Sequence, residues 1–358
     1  IKMSLTGSNG VLNLENTISL FGTIEINSDY IVDNGTISLN GGSLIVKENV
    51  TTSSSFIHSL DSIISISSGK TLSHSGGDLN IGPKTLSFAG GGNFINTNNL
   101  VLDDPEGILK FDGISSVKNV SVPVVQTTGK IDVDQDSVLE NLFHNGSSRL
   151  DILSGKNLTV TKGFLVPQTK SLEFIGSEGK LTLSDNITLA GTFKFSSKGE
   201  LSGGKLKLNG GELDVDEDIT ISSNMIHIAD SVINVESEKS INYTGQEFNV
   251  EDHLLTFEGE GKFSNTENIN LNNEASSVRL NGISELSKIS ISADLLTGKL
   301  EVSENSIVSQ QEKINMCFKH FEMMLTMSRE VTPICLSINN QPLFSFKITP
   351  EINPLIYY

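Results

Sequence analysis

The chain of 358 residues contains no tryptophan and only 2 cysteines. Both cysteines, Cys317 and Cys335, lie near the C-terminus. A framework held by disulfides is therefore excluded for most of the chain. Secretion is not excluded, because a long repeat array needs no staples. Basic charge is also scarce: the formal net charge is −18 and the pI about 4.7. That balance opposes nucleic acid and anionic membrane surfaces. No run of about 18 apolar residues is present to span a bilayer. The opening "IKMSLTGSNG" lacks a charged-then-apolar leader. Ile1 falls inside a repeat, so the chain reads as a fragment or a processed piece. Helical periodicity is missing through about residue 309.

What is present is repetition. "NGGSLIVKENV" at Asn40 returns as "NGGELDVDEDI" at Asn209, 169 positions later (209 − 40). At that shift, residues 1–140 lie over 170–309 without a gap, with about 48 identities, far above chance for a repeat search. "FIHSLDSI" at Phe56 matches "MIHIADSV" at Met225, and "TGKIDV" matches "TGKLEV". Copy one is 1–169. Copy two is 170–309 and lacks a counterpart to residues 141–169.

A faster rhythm runs inside each copy. Pairs such as Leu181/Leu183, Ile187/Leu189, Phe193/Phe195, Leu206/Leu208 and Leu213/Val215 carry the x-apolar-x-apolar signature of short strands. Gly, Asn, Ser and Asp lie between them, as bends require. The spacing is too dense for sandwich strands. Three strands per turn of about 21 residues fit a solenoid, and about eight turns fit one copy. The expected fold is all-β: a right-handed parallel β-helix, the hand following the crossover rule. Inward side chains would stack as one apolar column.

From Gln310 the text changes. Residues 310–358 hold both cysteines and a Pro-rich end with Pro333, Pro342, Pro350 and Pro354. Ile314, Cys317, Phe318, Phe321 and Leu325 predict an amphipathic helix over 310–328, followed by extended segments. This short α+β tail reads either as a cap on the open end of the solenoid or as a junction to unrelated sequence.

Candidate chemistry is thin. Polysaccharide cleavage on an outward ladder needs paired carboxylates with Arg, Lys or His. Asp103–Asp104 becomes Asn272–Asn273 in copy two, and the only arginines are Arg149, Arg279 and Arg329. His58 with Asp61 recurs as His227 with Asp230, without further metal ligands at fixed spacing. A corner where Asp bonds a turn and His covers a strand edge explains that pair. Asp132, Asp134 and Asp136 resemble the start of a calcium loop, but the glycine is missing and Phe143 stands where Glu would close it. The equivalent positions in copy two are Glu301, Ser303 and Asn305. Alternate acids on a strand, as also in Asp214–Asp218, describe a solvent face. Sequons occur at Asn34, Asn49, Asn119, Asn145, Asn157, Asn186 and Asn242 and matter only in a glycosylating secretory route. No catalytic, cofactor-binding or metal residue is assigned, and no cofactor is expected.

"GGKLKLNGGELDVDEDITI" and "GSLIVKENV" resemble the β-helical repeats of bacterial surface proteins, the autotransporter passengers and filamentous-haemagglutinin-like adhesins. The resemblance covers about 1–309. It implies a secreted or surface-displayed adhesin or structural stalk that meets a glycan, a surface protein or itself, without membrane insertion. The alternative is a β-helical polysaccharide lyase or glycoside hydrolase.

Overall fold

The computed structural model describes residues 2–7, 9–124, 128–246, 248–265, 269–271, 275–287, 289–291, 299–302, 308–309, 335–338 and 341–345. Every regular element among them is a strand. They form a β-solenoid of about 13 turns, distributed over two units. One unit holds residues 1–187 and 197–204, the other 188–196 and 205–358. The predicted helix over 310–328 lies outside the described residues. The described part of the tail is an antiparallel hairpin, Cys335–Ile338 with Gln341–Ser345.

In the first unit each turn contributes three short strands, one to each of three faces. On the first face Lys2–Leu5, Thr23–Ile26, Ser43–Val46, Ser62–Ile66, Thr85–Ala89, Ile108–Asp112, Thr128–Gln135, Ser147–Ile152 and Ser171–Phe174 follow one another in parallel. Eight steps thus carry Lys2–Leu5 to the strand 169 positions on. The second face begins with Gly10–Asn13, Tyr30–Asp33 and Val50–Thr52. The third begins with Thr17–Leu20, Thr36–Asn40 and Ser55–Leu60. In the second unit the first face runs Thr192–Phe195, Glu212–Val215, Ser231–Val235, Leu254–Glu258 and Ser277–Asn281.

The alternation read from sequence is the burial pattern. Ser43–Val46 and Glu212–Val215 both alternate half-buried with buried positions. In-register pairing turns that alternation into columns, because identical faces must superpose from turn to turn. Leu44, Ile64, Phe88, Phe111 and Val133 form one such column in the first unit. Phe193, Leu213, Ile233, Phe257 and Leu280 form its counterpart in the second. Burying each such side chain contributes about 1.5–3 kcal/mol before entropy is subtracted. Aromatic rings join the core, with Phe56 stacked on His74 at 4.5 Å and Phe88 against Phe94 at 4.8 Å.

The corners need glycine for two separate reasons. Gly41 and Gly210 have φ of 83° and 82°, the left-handed region. Gly42 and Gly211 have no room: a Cβ there would lie 2.4 Å from the Gly22 and Leu20 carbonyl oxygens, or 2.3 Å from that of Gly191. The backbone of the preceding turn occupies the space. Gly69 is a control, with φ of 72° but nothing near its Cβ direction. Gly69→Ala is expected to cost about 1–2 kcal/mol, the penalty of a left-handed Cβ. Gly42→Ala should cost more, because backbone cannot move aside. Urea midpoints of the two variants check the order.

Candidate functional site

The His58 and Asp61 side chains hold the corner of the next turn. The Thr85 N–H donates to Asp61 Oδ1 at 2.8 Å. His58 Nδ1 and Nε2 lie 2.7 and 3.2 Å from the carbonyl oxygens of Ile81 and Thr85. In copy two the Leu254 N–H donates to Asp230 Oδ1, again at 2.8 Å. The aspartate thus serves the same backbone group in both copies. The histidine does not have the same surroundings. His227 is fully buried, and neither ring nitrogen makes a well-aligned hydrogen bond. Its ring meets His253 edge-on at 6.1 Å, where copy one has Lys84.

The other acids are spent on scaffold. Asp132 and Asp151 share Lys130, Asp134 pairs with Lys110, and Asp136 accepts the Asn157 N–H. These three alternate aspartates therefore serve three different partners. Asp103 accepts the Gly82 N–H, and Asp104 closes its own turn by accepting the Glu106 N–H. Glu217 pairs with Lys239, and Asp218 accepts the Ser240 hydroxyl. Corner carboxylates recur as acceptors for the following turn, Asp29 for Asn49 and Asp78 for Asn99 among them. Several sequon asparagines stitch turns together too: Asn34 Nδ2 donates to Asn13, and Asn119 Nδ2 to the Asn96 carbonyl. Among the described residues, no group of three or more His, Cys, Asp or Glu side chains is placed to hold a metal ion.

One feature of the outward face escaped the motif search. Glu25, nearly buried, bridges Lys2 and Lys47 from the turns on either side. Those lysines hold its carboxyl down to about 2, Lys2 first and then Lys47. The position equivalent to Glu25 in copy two is Lys194, which pairs with Asp214 at 2.9 Å and Asp216 at 2.6 Å. Burial would lower the Lys194 ammonium, but Asp216 and Asp214 outweigh it and raise it above the usual lysine value. Asp216 is the counterpart of Lys47, and Asp214 of Ile45. The bridge between turns is kept while both signs are exchanged. A comparison of the two copies for paired sign changes would have found it.

No family model, curated protein or solved structure matches the chain. The geometry of the coil must therefore speak for itself. One outward carboxyl differs from the rest in environment: Glu212 is raised by burial first, then by Asp214 and Glu258, with Lys194 opposing. Asp214, Asn234 and Glu258 are successive register partners on that face.

Lys194→Glu alone sets three acids together and should lower the thermal midpoint. The triple change Lys194→Glu, Asp214→Ile, Asp216→Lys installs the copy-one pattern and should recover most of the loss. The buried histidines set a pH window. Burial lowers His144 to about 4; burial and then His253 lower His227 to about 4, from the ordinary 6.5. Both fold neutral, so their contribution is complete above pH 6.5 and is lost as pH falls toward 4. The slope is about 1.4 kcal/mol per pH unit per histidine. Glu25 and Glu140 are lowered, so their contribution persists until the pH drops below the ordinary carboxylate value of 4.5. Urea midpoints between pH 6.5 and 5 should therefore fall with pH, with His74, also lowered by burial, adding to His144 and His227 and the raised Glu212 opposing them, and His227→Leu should flatten that slope.

Proposed function

We propose that the chain is a non-catalytic, secreted or cell-surface β-solenoid that acts as an adhesin or structural stalk. One observation carries this reading. Across the two copies the inward columns and glycine corners persist, while the outward chemistry is consumed by contacts between turns or exchanged. Asp61 and Asp230 illustrate the first case, and Glu25 and Lys194 the second. A scaffold maintained this way repeats a shape and leaves its outer face free to vary. The partners of such a surface are a glycan, a surface protein or another copy of the solenoid. The acidic balance of −18 also keeps it from nucleic acid and anionic lipid.

A specific observation favours a second reading, a polysaccharide lyase or glycoside hydrolase. Glu212, raised in pKa, shares a face with Asp214, Glu258 and the cation Lys194, and a raised carboxyl suits general-acid chemistry. One set of assays separates the two. The purified chain is incubated with acidic and neutral polysaccharides, and reducing ends and unsaturated products are measured. In parallel its binding to cells, extracellular matrix and itself is measured. Binding without product is the expected result. Product release that Glu212→Gln abolishes would establish the enzyme reading instead, and a chain that binds none of the three would overturn the adhesive one.

A further inference from the structure

One outward ladder of the first unit carries large apolar side chains and no charge. Asn80, Val101, Ser121 and Phe143 are successive register partners on the third face. Leu165 extends the ladder, because Phe164–Val166 lies against Leu142–His144 and repeats its buried, exposed, buried pattern. Phe143 is 43% exposed and Leu165 45%. Both lie inside the solenoid with a turn on either side, so neither is exposed by an end of the chain. On the first face the outward ladder at the same height reads Lys110, Asp132 and Asp151. The scaffold does not require the apolar character. In the second unit Asn249 and Asn270 stand where the first has Asn80 and Val101, again as register partners. Asn270 Nδ2 donates there to Asn249 Oδ1 at 3.1 Å. Large apolar side chains grouped in water without a structural need mark a contact surface.

We infer that this ladder is a self-association surface, on which a second copy of the chain packs face to face with its coil running in the opposite direction. Shape and charge both select that occupant. A twofold axis between the Ser121 and Phe143 rungs sets each Phe143 against Ser121 of the second copy and each Leu165 against Val101 of the second copy. The largest side chain meets the smallest, which lets the faces close to the about 10 Å of packed sheets. Such a contact is isologous and closes as a dimer. Each copy carries a net charge of −18, so charged faces repel one another, whereas this ladder brings no charge to the contact. From Asn80 to Leu165 the rungs span about 19 Å at about 4.8 Å per step. A strip of that length falls short of the about 800 Å² per partner of a standard interface, so the dimer is weak and forms at high concentration. For its choice of partner the inference rests on the non-catalytic reading above, and it names the surface through which the solenoid meets itself.

The test is sedimentation velocity of the full chain from about 10 µM to about 1 mM. The weight-average mass should rise with concentration, and added salt should strengthen association by screening the charge on each copy. Val101→Glu or Leu165→Lys alone should weaken the dimer about tenfold while the β-sheet circular dichroism signal is retained. The double variant should recover most of the loss, because each new carboxylate then faces the new ammonium of the second copy. Within one chain the two positions lie three turns apart, about 14 Å, so the rescue reports pairing between copies. Phe143→Thr, which suits a strand and adds no charge, should also weaken the dimer about tenfold. A chain that stays monomeric up to about 1 mM overturns the inference. So does a dimer that Phe143→Thr leaves intact, or a double variant no better than the single ones. Binding to cells or matrix by a monomeric chain, abolished by Phe143→Thr, would assign the ladder to a foreign partner; it would overturn the inference and leave the adhesive reading standing.

Discussion

The structure depends on one constraint: every strand must lie in register on the strand one turn away. In-register parallel pairing satisfies the backbone and fixes which side chains superpose. A slip of one residue would turn Leu44 outward and Ile45 inward, along with every residue above and below. Once the pairing holds, the column from Leu44 to Val133 forms without further instruction. The glycine corners serve the same end, since a Cβ at Gly42 would push one turn away from the next.

This constraint also explains an acidic protein whose acids do little visible chemistry. A solenoid closes a corner every few residues; many corner N–H groups bond a carbonyl of the neighbouring turn, and others take a side-chain acceptor. Aspartate is a compact acceptor that reaches such a group across the spacing between turns. Asp29, Asp61, Asp78, Asp136 and Asp230 all serve in this way. Much of the negative charge thus belongs to the scaffold.

The strands and corners were legible in the sequence because their causes are local. Leu213 and Val215 are buried, and the Gly210–Gly211 corner precedes them, as period and composition indicate. The partners were not legible, because they lie about one turn away. Nothing near Asp61 names Thr85 as its donor, and nothing near Asp132 or Asp134 names the lysines that hold them. The repeated I-H-x-x-D-S text was sound for the aspartates and uninformative for the histidines. Burial and the exchange of Lys84 for His253 gave His227 surroundings that His58 lacks. The candidate site stayed faint for a related reason: Glu212 becomes distinctive only through its burial and the register that brings Glu258 onto the face it already shares with Asp214.

The exchanged signs at Glu25 and Lys194 have a consequence for the chain as a duplicated object. Two blocks of one polypeptide with the same strand rhythm and matching inward columns invite strand exchange between them during folding. Substituting a copy-two turn for its copy-one equivalent would set Glu25 against Asp216, and the reverse substitution would set Lys47 beside Lys194. Each wrong pairing opposes like charges, whereas each right one joins opposites. The inverted bridge therefore favours each turn's own neighbour over that neighbour's duplicate by opposite against like charge.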